Sequence, residues 1–272
     1  MVKIAVLGAG INGLTCAVKI KEKYKDYDVV LISSEFTPNT TGDGSGGLWY
    51  PFICGATPAD LIRKWGSETY KYLHELYRMG GHGVSLLPVY SLYRTKEKFS
   101  KPSWWDTVYG YHVLVEQQLK DCNQLAGHTF LTFASSAQKL LAYLQERFER
   151  ANGRLLRAKI TSLQDPLLEA YDVVVNCTGL GARWLVPDDA VVPVRGQITK
   201  NAEVVSHWVG LRPARHSIRL EPEEKNGKLY IHNYGHGGSG FTLFWGCGDE
   251  VLQILQRHLD RNEQKNQILS KL

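Results

Sequence analysis

The chain has 272 residues, of which 43% are hydrophobic and 22% charged, and its formal net charge is +5. These ordinary values exclude a disordered, collagenous or coiled-coil chain, and the length suffices for a sizeable buried core. The basic residues form no run and no apolar stretch reaches the roughly 18 residues of a membrane span, so we expect neither a nucleic-acid partner nor membrane insertion.

The amino-terminal segment predicts a strand, a turn, a helix and a second strand. The strands are Lys3 to Leu7 and Asp28 to Ile32, and the helical pattern runs from Leu14 to Tyr24. This order and length are typical of a βαβ unit with a parallel sheet.

The turn of this unit carries the pattern GxGxxG, formed by Gly8, Ala9, Gly10, Ile11, Asn12 and Gly13. Its first glycine permits a tight turn, the second lets the backbone approach a pyrophosphate, and the third lets the helix pack on the strand. The pattern therefore predicts a dinucleotide site, and a chance glycine turn is the alternative. An acidic residue about 20 positions on would hold a ribose hydroxyl, and Glu35 occupies that place.

The loop after the second strand, residues 33–55, is rich in hydroxyls and glycines. Its stretch from Thr37 to Trp49 has few bulky side chains, so it can follow a pyrophosphate and a flat ring closely. A flexible surface loop has the same composition and remains the alternative.

The rest of the chain alternates helical and strand patterns. We expect helices at Ala59 to Arg78, Ser136 to Arg150 and Gly248 to Arg261, short antiparallel strands within residues 84–133, and strands at Arg154 to Leu163, Tyr171 to Cys177 and Leu229 to His232.

Two later segments carry candidate site residues. Cys177 follows a buried strand, but no base stands at a recognisable spacing, so we interpret it as an inert thiol. The five cysteines also lack metal-ligand spacing, and we expect no metal site. Arg212, Arg215 and Arg219 lie close together, so we expect at least one to bind an anion such as a carboxylate, unless all three are surface residues of an edge strand.

The stretch from Asn233 to Thr242 is a second glycine-rich loop that leads into a helix, a suitable place for partial negative charge. His236 within it is a candidate general base, although a structural histidine is the more common reading. The sequence ends in Ser270, Lys271 and Leu272, a tripeptide that the peroxisomal import receptor reads as an address. We expect a protein of the peroxisomal matrix.

Together these segments resemble the D-amino-acid oxidase and D-aspartate oxidase family of flavoenzymes. The resemblance runs from Met1 to about Lys200, resumes near Val209, and is closer to the D-aspartate branch at Gly210-Leu211-Arg212-Pro213. The stretches that carry it are Gly8 to Gly13, Phe36 to Pro38, Gly47 to Trp49, Asn176 to Gly179, Val194 to Gln197, Gly210 to Arg215, and Tyr234 to Trp245.

The resemblance implies an α/β fold in which a Rossmann-like FAD-binding domain is interleaved with a mainly antiparallel substrate domain. It places the former at residues 1–50, 134–182 and 232–272, and the latter at 51–133 and 183–231. It implies substrate contacts from Arg212, which grips the α-carboxylate, and from Gly238 and Tyr50. The implied FAD contacts are Gly8, Ala9, Gly10, Ile11, Asn12, Gly13, Ser34, Glu35, Thr40, Thr41, Gly47, Leu48, Ile160, Thr178, Gly238, Gly240, Phe241 and Thr242.

The implied activity is oxidative deamination of D-amino acids, with acidic ones preferred, to a 2-oxo acid, ammonia and hydrogen peroxide. FAD takes a hydride from the substrate and O2 reoxidises it, so no acid–base side chain is required.

Two departures from the family bear on this expectation. Ser34-Glu35 stands where relatives have an aspartate and a basic residue, which leaves the ribose contact open between the two. Only Asn201 to Trp208 stands where relatives have several tens of residues. Because of this short connection, we expect reduced or no turnover. The alternative function is a catalytically impaired flavin-binding variant of the enzyme. A nicotinamide dehydrogenase with the same GxGxxG pattern is a weaker interpretation, because it leaves the later glycine-rich loops unexplained. The oligomeric state is left open.

Overall fold

The computed structural model describes residues 1–195 and 210–269. The connection Asn201 to Trp208 and the tripeptide Ser270 to Leu272 lie outside the described residues. In chain order the elements are β1 (Lys3–Leu7), α1 (Ile11–Lys23), β2 (Asp28–Ser33), α2 (Ala59–Met79), β3 (Val84–Tyr93), β4 (Tyr109–Val113), α3 (Glu116–Asp121), β5 (Ala126–Ser135), α4 (Ala137–Arg150), β6 (Arg154–Arg157), β7 (Val173–Asn176), α5 (Ala182–Leu185), β8 (Val192–Val194), β9 (Arg212–Lys225), β10 (Lys228–His236) and α6 (Gly240–Leu269).

A seven-stranded sheet forms the centre of the protein, in the order β6-β2-β1-β7-β10-β9-β8. The first five strands are parallel, and β9 runs antiparallel to both β10 and β8. The order confirms the predicted βαβ unit, because β1 and β2 are neighbours joined by α1.

Both faces of the parallel strands are buried. Ile4 and Val6 of β1 belong to a core cluster that includes residues of α1, α4 and α6, whereas Ala5 and Leu7 belong to a second cluster with Leu168. Continuous apolar strands are what a sheet covered on both faces requires, so the buried strand predicted at Lys3 to Leu7 is confirmed.

A second sheet has three antiparallel strands in the order β3-β5-β4. Antiparallel strands were predicted in this region, but β3 and β5 have 10 residues each, so they are not short. The mixed α/β fold, with one largely parallel and one antiparallel sheet, agrees with the expected class. Strands β8 and β9, which lie within the segment 183–231 assigned to the substrate domain, extend the larger sheet; the domain boundaries themselves stay a prediction.

Three sequence expectations about helices and strands were wrong in extent. Helix α1 begins at Ile11 instead of Leu14, and only Arg154–Arg157 of the long predicted strand is a strand. Helix α6 begins at Gly240, not Gly248.

Two glycines in the first turns of α6, Gly246 and Gly248, allow neighbouring helices to pack closely against it. A Cβ at Gly246 would lie 2.3 Å from the Trp65 carbonyl oxygen of α2, and one at Gly248 would lie 2.8 Å from a methyl of Thr15 in α1. Because a glycine interior to a helix lowers its helix propensity, Gly246 fell outside the predicted helix and Gly248 was taken as its first residue, although packing against neighbouring helices requires a glycine at both positions.

Candidate active site

The predicted ligand-binding residues meet at the carboxyl edge of the parallel strands. β1 leads into the Gly8 loop, β7 into Thr178, and β10 into the Gly237 loop. Because β9 is antiparallel to β10, its first residues reach the same edge, where Ala214 pairs with His236. Open α/β sheets place ligands at this edge.

The glycines of the GxGxxG loop differ in what they face. Gly8 has a φ of +95°, and a Cβ there would lie 2.6 Å from the Cys177 carbonyl oxygen; a Cβ at Gly13 would lie 1.7 Å from the Gly8 carbonyl oxygen. A Cβ at Gly10 would meet nothing within 4 Å. Gly8 and Gly13 are therefore required by the fold, whereas Gly10 leaves space on the open side of the loop.

This open side suits the pyrophosphate of a dinucleotide. Gly10 is the amino-terminal cap of α1 and has an ordinary φ of −75°. The first N–H groups of a helix have no partner within the helix and point toward the space in front of it. The residues present thus fit a phosphate group that approaches the backbone at Gly10.

Asn12 links this loop to the second glycine-rich loop. Its side-chain amide lies 3.1 Å from Nδ1 of His236, which is 2% exposed. Burial lowers the pKa of His236 to about 4, so the ring is neutral at physiological pH. A buried neutral ring that bridges two loops fits a structural histidine better than a general base.

The two candidate ribose contacts lie just after β2. Arg157, at the end of β6, donates to the Ser34 carbonyl oxygen at 3.0 Å and to the Glu35 carboxylate at 3.2 Å. Both residues are exposed, and Ile160 follows in the loop after β6, where it packs on the second core cluster. All three stand at the carboxyl ends of neighbouring strands β2 and β6.

Asp43 orders the hydroxyl-rich loop, a role that the sequence analysis missed. Its buried carboxylate accepts hydrogen bonds from the Thr37 hydroxyl at 2.5 Å and from the Thr40 N–H and hydroxyl at 2.8 and 2.7 Å. The spacing of Thr40 and Asp43 is that of a capping box, and this spacing in the sequence could have predicted the role of Asp43. The loop is therefore ordered by its own hydrogen bonds, and Thr41 is exposed on it.

Gly47 and Leu48 end this loop against the second sheet. Gly47 has a φ of +63°, and a Cβ there would lie 1.9 Å from the Ser135 carbonyl oxygen. Leu48 forms a bridge with Ala134 and leaves its side chain 36% exposed.

The first turn of α6 holds Tyr50, which comes two residues after Leu48 in the chain. The Thr242 hydroxyl accepts from the Tyr50 N–H at 3.1 Å and donates to the Tyr50 carbonyl oxygen at 3.0 Å. Phe241 is buried in the main core. The side chains of Phe241 and Thr242 are thus engaged within the protein, and the first turn of α6 presents backbone N–H groups of Gly240 and Phe241 to a ligand.

Cys177 and Thr178 lie at the end of β7. Cys177 is buried with its sulfur 3.9 Å from that of Cys16, and burial raises its pKa well above the usual value. This environment agrees with the inert thiol that was predicted. The Thr178 hydroxyl donates to the Asn176 side chain at 2.8 Å, which holds the turn at the strand end.

The three arginines of β9 have different partners. Arg215 bonds Asp188 at 2.9 Å, and Arg219 bonds Glu221 at 2.7 Å and Glu223 at 3.0 Å. Arg212 has no ion pair with any residue in the described ranges 1–195 and 210–269, and its guanidinium lies 6.0 Å from the Phe52 ring. Of the three, Arg212 is the one that no described acidic side chain neutralises, which suits it to bind an anion.

Comparison with known proteins agrees with this geometry. A family model described as FAD dependent oxidoreductase matches residues 3–202. The chain belongs to this family of FAD-dependent oxidoreductases. It is similar to the D-amino acid oxidase of Dugesia ryukyuensis, with 31% identity covering 93% of this chain and 97% of the relative, and to the human D-aspartate oxidase, with 28% identity covering 93% and 95%.

Solved structures show the same fold at low sequence identity. Glycine oxidase from Geobacillus kaustophilus superposes with a TM-score of 0.70 over 94% of this chain and 95% of that one, at 14% identity. The alignment to the Dugesia relative spans 324 positions, more than the 272 of the chain, so this family member is shorter than its relatives.

FAD is the cofactor of this flavoenzyme family, and the carboxyl edge offers residues that fit it. The GxGxxG loop with its open Gly10 would hold the pyrophosphate, and Ser34 or Glu35 would lie beside the adenosine ribose. The ordered loop that contains Thr40 and the backbone at Gly240 would supply the remaining contacts to FAD at this edge.

Among the described residues, no helix combines the length and apolar character needed to cross a bilayer. The same ranges contain no group of three or more histidine, cysteine or acidic side chains arranged to hold a metal ion.

Proposed function

We propose that this protein catalyses the FAD-dependent oxidative deamination of D-amino acids. The observation that carries the proposal is Arg212, which has no acidic partner among the described residues and lies at the same sheet edge as the two glycine-rich loops. A guanidinium without a carboxylate partner, next to a dinucleotide site, is suited to bind the carboxylate of a small substrate in bidentate geometry.

The residues around Arg212 would orient the substrate. Arg212 would hold the α-carboxylate, and the backbone at Gly238 would lie near the amino group, with Tyr50 beside it. Bound at this edge, FAD would supply the acceptor for the hydride of the substrate α-carbon, with O2 as the final electron acceptor; the products would be hydrogen peroxide and an imino acid that water hydrolyses to the 2-oxo acid and ammonia. The chain's own contribution is to fix the distance and orientation of the substrate, which can supply a large part of a rate enhancement.

We further propose that acidic D-amino acids are preferred. The Gly210-Leu211-Arg212-Pro213 motif and the similarity to a relative named D-aspartate oxidase support this preference. Val194 pairs with Arg212 across β8 and β9, so the end of β8 lies beside the site at which we propose the substrate binds.

The preference is tested by measuring hydrogen peroxide release with D-Asp, D-Glu and D-Ala on purified, FAD-loaded protein. We expect kcat/KM for D-Asp to exceed that for D-Ala by at least about tenfold, the effect of roughly 1.4 kcal/mol of added charge attraction. L-Asp serves as the control and should give no peroxide. Equal values for D-Asp and D-Ala would contradict the acidic preference while leaving the D-amino-acid oxidase proposal intact.

The alternative is a flavin-binding variant with little or no turnover, as the short connection at Asn201 to Trp208 suggests. The matches to named oxidases over more than nine-tenths of both chains do not favour it. The same assay separates the two: FAD-loaded protein that releases no peroxide with any of the D-amino acids would support the inert variant.

We also propose that the protein is imported into the peroxisome through Ser270, Lys271 and Leu272. Deleting these three residues should leave an amino-terminally tagged protein in the cytosol, because the receptor reads the carboxyl-terminal tripeptide itself. The matched variant keeps all three residues and truncates only the Lys271 side chain, as Lys271→Ala. Peroxisomal fluorescence of the deleted protein in cells without an endogenous copy would contradict the proposal.

A further inference from the structure

The segment Tyr50–Gly55 is held in a strained conformation beside Arg212. Ile53 has a φ of +55° and Gly55 a φ of +58°. A β-branched residue at positive φ is a genuine outlier, and such strain persists only where the surroundings hold it. The contacts of residues 50–55 with the rest of the protein must therefore hold this backbone conformation.

One hydroxyl binds both sides of the Phe52 residue. Ser239 Oγ accepts from the Phe52 N–H at 2.7 Å, donates to the Phe52 carbonyl oxygen at 2.9 Å, and lies 3.1 Å from the Cys54 sulfur. Ser239 is fully buried. It therefore ties the centre of the strained segment to the turn before α6.

The glycines before Ser239 let the segment come this close. A Cβ at Gly237 would lie 2.2 Å from the Ile53 carbonyl oxygen, and one at Gly238 would lie 2.7 Å from the Phe52 ring. The second glycine-rich loop thus serves the 50–55 segment as well as the cofactor edge.

The result of this arrangement is the position of the Phe52 ring. The ring is 49% exposed, yet it lies 6.0 Å from the Arg212 guanidinium. An apolar ring on one side of a guanidinium keeps water from that side, and a charge attraction is stronger where less water surrounds it. A carboxylate at Arg212 would benefit from this shielding.

We infer that Ser239 is a positioning residue for the carboxylate site, acting by fixing the backbone of Phe52 so that its ring stays beside Arg212. This inference rests on the proposed role of Arg212 in binding the substrate carboxylate. The hydrogen bonds of the Ser239 hydroxyl go to Phe52 and Cys54 and not to Arg212, so we expect its effect to fall on binding more than on the oxidation step.

The test compares Ser239→Ala with the unaltered FAD-loaded protein. Loss of the hydroxyl leaves the Phe52 peptide untied, and we expect KM for D-Asp to rise about tenfold while kcat stays within about twofold, as befits loss of ground-state and transition-state binding alike. FAD content should remain equal to that of the unaltered protein.

Thr69→Val is the matched control. The buried Thr69 hydroxyl of α2 also makes several hydrogen bonds, to the Trp65 carbonyl and from the N–H groups of Trp245 and Gly246. These bonds join α2 to α6, and none of them involves the 50–55 segment. We expect this variant to lower the melting temperature and leave KM unchanged. An equal rise of KM in both variants would overturn the inference, because it would show a general loss of stability.

Two measurements decide the inference without turnover, so its failure is distinguishable from that of the proposed oxidase activity. Hydrogen exchange by mass spectrometry should show faster exchange in peptides covering residues 50–55 for Ser239→Ala only. Calorimetric titration with propionate, a simple carboxylate, should show weaker binding in the same variant and none in Arg212→Leu. Unchanged exchange, or propionate binding equal to that of the unaltered protein, would overturn the positioning role even if the enzyme turns out to oxidise another substrate.

Discussion

Replacing Arg212 with leucine should raise KM for D-amino acids by about thirtyfold or more while FAD content stays normal. Removing one partner of a hydrogen-bonded charge pair at a binding site costs about 2–5 kcal/mol, and the partly exposed position of Arg212 favours the lower value. The side chain has no carboxylate partner among the residues described, so its loss leaves none of these carboxylates without a partner. Steady-state peroxide release and the flavin absorbance of the purified variant measure the two quantities.

Arg215→Leu, three positions further along β9, is the control. Arg215 bonds the nearly buried Asp188, which also accepts from the Tyr234 hydroxyl at 2.7 Å, so this variant should lower the melting temperature. Its KM should stay close to that of the unaltered protein. Arg212→Lys keeps the charge but loses the planar fork, and we expect an intermediate KM. Unchanged kinetics in flavin-loaded Arg212→Leu would show that Arg212 is a surface arginine.

Much of the fold was predictable because it follows from local patterns. Short apolar strands such as Lys3–Leu7 and Val173–Asn176 can be buried on both faces only in a parallel sheet covered by helices. The glycine pattern between β1 and α1 has a strict geometric reason, since Gly8 and Gly13 lie against backbone carbonyls. Such requirements act within a few residues and are visible in the sequence.

The parts that were missed depend on contacts between distant segments. Nothing near Ser239 in the chain shows that its hydroxyl binds the peptide of Phe52, 187 residues away. Likewise, the sequence shows three similar arginines, and only the pairing of Arg215 and Arg219 with acidic residues singles out Arg212. The start of α6 was predicted too late, at Gly248, because the glycines in its first turns have low helix propensity, whereas Gly246 and Gly248 are required by packing against α2 and α1.

Substitution by alanine should have different effects at Gly10 and at Gly13 of the GxGxxG loop: the first should weaken FAD binding, and the second should destabilise the fold. Gly10→Ala adds a methyl group where the structure leaves 4 Å of space, at an ordinary backbone conformation. The fold without cofactor should therefore keep its melting temperature. The added methyl would instead hold off the pyrophosphate that must approach the backbone there.

We expect Gly10→Ala to weaken FAD binding at least about tenfold, a loss of roughly 1.4 kcal/mol, with the unliganded melting temperature unchanged. Gly13→Ala places its Cβ 1.7 Å from the Gly8 carbonyl oxygen, so strand and helix must move apart and the unliganded protein should itself be destabilised. Overpacking of this kind costs about 1–3 kcal/mol or more, which corresponds to about 2–4 °C per kcal/mol for a domain near this size. Thermal melts with and without FAD, together with a fluorescence titration of FAD, separate the two effects. If Gly10→Ala retained FAD as tightly as the unaltered protein, the pyrophosphate would have to bind elsewhere, because a ligand that contacts the backbone at Gly10 cannot share that space with a methyl group.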